Sequence, residues 1–453
     1  MSPDGLSTDA EPVVGSSPRA GGSAAGDISS IASAPVPSFR EKTAEIRQML
    51  ADNESLSLLY IDASRLSQIE NDYGTEIYEE VVDALTRIIL DMKGKQTRRT
   101  DLVTVNEKHG NTFLIFLSKK RDDAPFGQGD LEKMSDRINT FITQRLHRMT
   151  STYLRGRPKL ALGYSLVLRN PLIKDDRLIL KLIDEARRMA QFQAFRMEVK
   201  NRESLQEIIL RGDVRTVYQP IIDLYDHHTL GFEALSRGPR GTDYESPYML
   251  FGIADESDLL FELDRLCRRN ALVASAGLDR KFHLFLNLLP STIRDPEFQG
   301  KRMLGFLERY GLSPSRIVLE ITEQLAIENY SLFLDAIRVY TDMGFSIAVD
   351  DMGAGYSGLE KIVHLKPRFL KIDLMMVQQI DTSFVKREML KAIQSLADNI
   401  GAYCIAEGIE RRQELDTLRA LGIRYGQGFL FARPARAPIP VNPNSVVSPL
   451  PAR

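Results

Sequence analysis

FSIAVDD, residues 345–351, is the stretch on which the architecture turns: a short apolar run that stops on two consecutive aspartates. Such a run, bounded by helical segments, predicts a buried strand. Toward the N-terminus the same form recurs at RIVLEIT (316–322), FHLFLNL (282–288), TLGFEAL (229–235) and TVYQPII (216–222). Toward the C-terminus it recurs at RFLKID (368–373), AYCIAEG (402–408) and GFLFAR (428–433). Eight strands alternating with helices over about 235 residues predict an α/β fold, a (β/α)8 TIM-like barrel. An open doubly wound sheet is the other arrangement compatible with the alternation, and eight strands in one unit of this length favour the barrel.

Six of these strands end in a polar group where the apolar run stops: Glu233, Asn287, Glu320, Asp350 with Asp351, Asp373, and Glu407. Strands of a barrel bring their C-terminal ends to one rim, where barrel enzymes place their sites. Carboxylates gathered there repel one another unless cations lie between them. A single acidic residue at a strand end is ordinarily a turn or helix cap, so the joint pattern carries the argument. All the donors are oxygens, with no His or Cys among them, which suits Mg2+ or Mn2+ better than Zn2+ or Cu2+. In the Asp350–Asp351 pair, one carboxylate can bridge two ions while its neighbour binds the second. Two ions so placed would clamp the attacking and leaving oxygens of a phosphoryl displacement.

The rest of the chain divides by composition. Residues 1–38 are rich in Ser, Pro, Ala and Gly and predict a disordered tail. Residues 39–54 form a helical lead-in. Residues 55–195 make a smaller α/β unit, with strands at LSLLYID (56–62) and KLALGYSLVL (159–168), a hairpin over DLVTVNEKHGNTFLIFL (101–117), and helices between. A charged helical connector over 196–212 leads to the barrel, and 437–453 is a Pro-rich tail.

Net charge is -2, so bulk charge calls for neither a nucleic acid polymer nor an anionic membrane. No apolar run reaches the roughly 18 to 20 residues of a membrane span. The start, MSPDGLSTDAEPVV, lacks the basic and apolar regions of a secretory signal. Cys267 and Cys404 stand alone in apolar runs, as buried thiols in a reducing compartment do. Together these predict a cytoplasmic protein with no membrane insertion.

EALSR at 233–237 resembles the EALxR motif of the EAL-domain cyclic-di-GMP phosphodiesterases. The likeness continues in order through Asn287 in FLNLLP, EITE at 320–323, DDMGAGYSGL at 350–359, FLKID at 369–373, AEGIE at 406–410 and GQGFLFARP at 426–434, and covers residues 205–436. It implies a barrel whose first strand runs antiparallel to the others, and a dimer formed through it. It implies two divalent cations, Mg2+ or Mn2+: one held by Glu233, Asn287, Glu320 and Asp350, the other by Asp350, Asp351 and Glu407. Lys371 matches the lysine that helps to activate the attacking water, and Gln427 a residue that orients water. Arg237 matches the arginine on a substrate phosphate, and Glu323 a glutamate that anchors the loop after Asp351. Asp373 and Gln219 are assigned to the rim near the substrate. Met352 and Ala354 depart from the family's usual Phe and Thr.

Residues 55–195 resemble a degenerate GGDEF cyclase unit. The signature turn corresponds to His109-Gly110-Asn111-Thr112-Phe113, where the acidic positions hold Asn and Thr. Asp62 matches one metal-binding aspartate, but its companion position is Ser64; Glu70 and Glu79 replace the usual guanine-reading Asn and Asp. No cyclase activity is expected, and a regulatory role is. Arg98-Arg99-Thr100-Asp101 fits an RxxD pattern that a surface pair explains better than a product-binding site. The reading that results is metal-dependent hydrolysis of cyclic di-GMP to linear pGpG; the alternative is a non-catalytic cyclic-di-GMP receptor or scaffold. A protein partner for the N-terminal tail or the first unit is left open.

Overall fold

The computed structural model describes residues 36–107, 111–118, 126–150, 158, 160–289, 292–322, 330–353 and 365–442. In chain order the first unit contains α1 (Thr43–Asn53), β1 (Ser55–Asp62), α2 (Ser67–Tyr73), α3 (Thr75–Asp91), β2 (Leu102–Val105), β3 (Thr112–Leu117), α4 (Gln128–Thr150), β4 (Ala161–Leu168) and the start of α5 (Asp175–Arg211). The barrel strands are β5 (Arg215–Asp223), β6 (Thr229–Arg237), β7 (His283–Asn287), β8 (Ile317–Thr322), β9 (Ser346–Met352), β10 (Phe369–Ile372), β11 (Tyr403–Ala406) and β12 (Tyr425–Gly426). Between them lie α6 (Pro247–Glu256), α7 (Leu260–Ala274), α8 (Gly300–Arg309), α9 (Tyr330–Asp342), α10 (Leu374–Val377), α11 (Phe384–Ile400) and α12 (Arg412–Ala420).

The first sheet has the order β2-β3-β1-β4, with every neighbour antiparallel. Alternation along β1 serves both faces. Leu59 and Ile61 pack with Val81, Leu85, Leu131 and Ile138 of α3 and α4. Leu58 and Tyr60 pack with Ile46 and Leu50 of α1 and Leu182 of α5. Residues 37 and 38, assigned to the tail by composition, are tied to this sheet: Val105 N–H donates to the Pro37 carbonyl at 3.0 Å, and Ser38 bridges Val105.

Two elements differ from the sequence reading. The end of the first unit and the connector at 196–212, read separately by composition, are one continuous helix, α5, which ends on Gly212 in the left-handed conformation. No proline or glycine interrupts Asp175–Arg211, so nothing in the sequence breaks it. The eighth strand is Tyr425–Gly426, not 428–433. Tyr425 and Gly426 pair with Ile405 and Ala406 on one side and with Asp223 and Ile222 on the other. Beyond them the Phe431 and Ala432 amides both turn back to the Gly428 carbonyl, at 3.1 and 3.2 Å. GFLFAR is apolar because Leu430 and Phe431 pack against the barrel's outer core, not because it joins the ladder.

The eight barrel strands close in the order β10-β11-β12-β5-β6-β7-β8-β9. β5 runs antiparallel to both neighbours and the other pairings are parallel. No helix among the described residues is long and apolar enough to cross a membrane.

Gly163 on β4 marks where the sheet meets α5: a Cβ there would lie 2.1 Å from the Ala186 carbonyl oxygen and 2.4 Å from the Ala190 nitrogen. Gly163→Ala should therefore destabilise the first unit by about 1 to 3 kcal/mol, as overpacking does. Thermal unfolding of the variant beside the parent checks this, and an unchanged melting temperature would contradict the close packing.

Candidate active site

Inside the closed barrel lies an apolar plug made of Ile221, Phe285, Val318, Ala348, Phe369 and Ile405, with Tyr425 packed against it. Side chains on one face of a strand recur every second residue. Two residues beyond each plug position, toward the C-terminal rim, stand Asn287, Glu320, Asp350, Lys371, Glu407 and Gln427. β5 points the other way, so its next inward residue toward that rim is reached by counting back, from Ile221 to Gln219. Glu233 completes the layer, pairing with Gln219 across β5 and β6. The site is the first polar layer above the plug.

Lys371 sits at its centre, 1% exposed. Its Nζ lies 2.6 Å from Glu407 Oε1, 2.8 Å from Glu320 Oε1, 3.2 Å from Asp350 Oδ2 and 3.6 Å from Glu233 Oε2. Gln427 is buried beside it and donates from Nε2 to Glu233 Oε2 at 2.6 Å and to Glu407 Oε1 at 3.1 Å. Asn287 is more exposed and donates weakly to Glu233 Oε1 at 3.4 Å.

Asp351 would point away from this layer in a regular strand. The ladder between β9 and β10 shifts register between Leu370 and Ile372, so β9 carries an extra residue there. Asp351 has φ 60, in the left-handed region that non-glycine residues enter at a cost. The bulge brings ligand oxygens of Asp350, Asp351 and Glu407 within 4.8 Å of one another.

The remaining predicted positions fall further out. Arg237, at the end of β6, is partly buried and donates to the Ser236 carbonyl at 2.8 Å. Burial and the neighbouring Arg215 lower its pKa. Arg215 was absent from the sequence reading, which searched only C-terminal strand ends; on the antiparallel β5 it is the N-terminal end that reaches the rim, opposite Arg237. Gln219 spends its amide on the Ala432 carbonyl at 3.3 Å. Asp373 caps α10, accepting from the Met375 amide at 2.6 Å. Glu323 and Ala354 lie outside the described residues.

In the first unit, Asp101 is no surface residue. It is 1% exposed and accepts from Arg98 N–H at 2.6 Å and from the Ser118 amide and hydroxyl, both at 2.8 Å. The RxxD pattern there is a turn with Arg99 and Thr100 exposed, whose buried aspartate ties the end of β3 to the turn before β2. Asp62 accepts from the Ser64 amide at 2.8 Å, and His109 and Gly110 of the signature turn lie outside the described residues.

The electrostatics of the barrel site follow from burial. Burial, reinforced by Glu233, holds the Glu320 carboxyl well above its ordinary pKa, and burial raises Asp350. Glu407 is pushed up to about 8 by burial, against the pull of Lys371. Burial alone would lower the pKa of Lys371, but Asp350, Glu233, Glu320 and Glu407 outweigh it and hold the ammonium protonated. One ammonium cannot neutralise Glu233, Glu320, Asp350, Asp351 and Glu407. Glu320 Oε2 and Gln427 Oε1 are buried without a hydrogen-bond partner among the described residues. An excess of hard oxygen donors with unused lone pairs fits one or two divalent cations of the Mg2+ or Mn2+ class.

A pH dependence follows, with a fixed sign. The folded, metal-free site keeps protons that unfolded carboxylates release near their ordinary pKa, so its stabilisation is present at low pH and lost as pH rises toward about 8 for Glu407. Cations bind the deprotonated carboxylates. In EDTA the melting temperature should fall between about pH 5 and pH 8, and the gain on adding Mn2+ should grow over the same interval. Scanning fluorimetry across that range checks it; parallel profiles with and without Mn2+ would contradict the account.

Known proteins resemble this chain over its C-terminal half. The chain is 29% identical over 239 residues to the probable cyclic di-GMP phosphodiesterase PdeG of Escherichia coli K12, covering 51% of this chain and 46% of that protein. It is 34% identical over 163 residues to the probable cyclic di-GMP phosphodiesterase PdeA of the same organism, covering 36% of this chain and 22% of that one. The chain thus spans less than half the length of these relatives. Among solved structures, a standalone EAL protein from Vibrio cholerae O395, in a cyclic-di-GMP-bound form, is 27% identical with a TM-score of 0.45, covering 51% of this chain and 96% of that one. Residues 202–434, just over half of the sequence, match the family described as the EAL domain, and the chain belongs to that family.

Proposed function

We propose that this protein hydrolyses cyclic di-GMP to linear pGpG with the help of two divalent cations, Mg2+ or Mn2+. The observation that carries the reading is the single polar layer in which Lys371 meets Glu233, Glu320, Asp350 and Glu407 within 3.6 Å. Phosphodiesterase names among the relatives support the choice of substrate. Glu233, Asn287, Glu320 and Asp350 would hold one cation, and Asp350, Asp351 and Glu407 the other. When bound, the pair supplies an acidified water and offsets charge on the phosphoryl oxygens.

The chain's own groups set the geometry of the displacement. Gln427, with both amide hydrogens committed to carboxylates, offers Oε1 as an acceptor that orients the water. Lys371, at the centre of the carboxylate layer, is placed to donate to the attacking oxygen. Arg237 takes two phosphate oxygens with its planar fork, beside Arg215, whose own charge is paired with Glu245 at 2.6 Å. Water oxygen bonds to phosphorus and the bond from phosphorus to the ribose 3′ oxygen breaks; of the water's two protons, one ends on that oxygen as the free 3′ hydroxyl of pGpG and the other on the new 5′ phosphate or in solvent. The smaller α/β unit, as a degenerate GGDEF domain, is assigned a regulatory role without cyclase activity. The enzyme works in the cytoplasm.

We also assign it a homodimer through the barrel. Leu374, Met375, Phe384, Val385 and Met389 are exposed on neighbouring helices, α10 and α11. Lys386 Nζ joins the two helices through the Gln378 carbonyl at 2.7 Å and the Met375 carbonyl. Apolar residues exposed on these two helices support an interface there.

Purified protein incubated with cyclic di-GMP should yield pGpG only when Mg2+ or Mn2+ is present, followed by chromatography of the nucleotides. Lys371→Ala and Glu233→Ala should each lower turnover by about a hundredfold or more, as loss of a preorganised charge does. Undiminished turnover in either variant would remove the mechanism. Tight binding without product in the parent would select the receptor reading. Separately, Phe384→Glu should convert a dimer to a monomer in sedimentation analysis, and a dimer that survives would place the interface elsewhere.

A further inference from the structure

One turn of α7 carries a buried charged cluster that the mechanism above does not use. Asp264, Cys267 and Arg268 occupy positions i, i+3 and i+4, and so share one face of the helix. Arg268 Nε lies 2.8 Å from Asp264 Oδ2, and its Nη2 lies 3.5 Å from Asp295 Oδ2. Arg265 grips Asp295 with two bonds of 2.7 Å. Thr292 is fully buried; its hydroxyl shares its one proton between Asp264 Oδ2 at 2.5 Å and the Leu289 carbonyl at 2.9 Å. The Tyr340 hydroxyl donates to the Ile293 carbonyl at 3.1 Å, closing the cluster from α9.

This face touches the ends of two adjacent barrel strands. Through Thr292 it holds Leu289, two residues past Asn287 at the end of β7. The same helix also packs against β6, the strand that carries Glu233 and ends on Arg237. Buried ion pairs stabilise little more than apolar residues of the same volume, because desolvation offsets their attraction. Displacing one partner, however, leaves a buried charge unpaired, which favours the geometry in place. A rim whose ligands come from separate strands needs such a brace.

We propose that Asp264, Arg268 and Thr292 are positioning residues for the active site: the cluster fixes the ends of β6 and β7 so that Glu233, Arg237 and Asn287 meet cation and phosphate in register. The proposal rests on the phosphodiesterase reading above.

Thr292→Val tests it, because valine keeps the side-chain shape and leaves every ion pair intact. Thr292→Ser restores the hydroxyl. Three quantities are measured on the full chain: melting temperature, Mn2+ affinity of the metal-stripped protein by titration calorimetry, and kcat and KM for cyclic di-GMP. Thr292→Val should weaken Mn2+ binding and lower kcat, each by about tenfold or more, with KM little changed, while Thr292→Ser returns both toward the parent. A merely structural role would lower the melting temperature and leave Mn2+ affinity and kcat alone; that result, or a serine variant no better than valine, overturns the proposal. If the parent binds Mn2+ but leaves cyclic di-GMP intact, the hydrolase reading fails by itself, and the Mn2+ affinities of the two variants still decide the role of Thr292.

Discussion

The structure depends on a constraint of closure. A barrel of eight strands has an interior just wide enough for side chains, and strand alternation stacks them in layers. Here the lower layer is apolar and the next is almost wholly charged or amide. The plug excludes water from below, which makes the layer above a poorly solvated place for a lysine and four carboxylates. None of these groups would be stable there alone: the carboxylates hold Lys371 and Lys371 holds them, while the carboxylates repel one another. The same low polarisability that makes the arrangement costly gives it leverage on a developing charge.

Much of this was legible because a strand has a period of two. The plug residues and their polar successors can be paired by counting in the sequence, once the strands are known to be strands. Counting fails where the backbone departs from the period. Asp351 needs a bulge and a left-handed φ to reach the layer, and nothing in VDDM announces them. The eighth strand is only two residues long, and the apolar run after it, packed as a turn, was the stronger signal. Gln427 was identified by family resemblance and not by its strand; correctly placed, Tyr425–Gly426 shows why it points inward. Arg215 was missed because its strand runs against the others.

The first unit shows the opposite relation between motif and structure. Its RxxD tetrapeptide has the letters of a binding site, yet Asp101 is used up by three bonds within its own fold. A short motif records residue types, whereas burial and hydrogen-bond partners decide whether those residues are available. The same distinction applies at the barrel rim, where Asp373 caps a short helix and Gln219 braces a turn, although both sit near the charged layer.

α5 packs Leu178, Leu182 and Ala186 against the first sheet and Leu205 and Ile208 against the barrel, with no break between. At 1.5 Å per residue it is a rod about 55 Å long. Gly212, Asp213 and Val214 alone separate its end from Arg215, and β5 is the strand whose beginning, not its end, lies at the rim. The antiparallel strand therefore sets the end of the rod beside the rim: three residues, hydrogen-bonded back to the helix end and with Val214 buried, are all the chain between a helix seated on the first sheet and the arginine that faces Arg237.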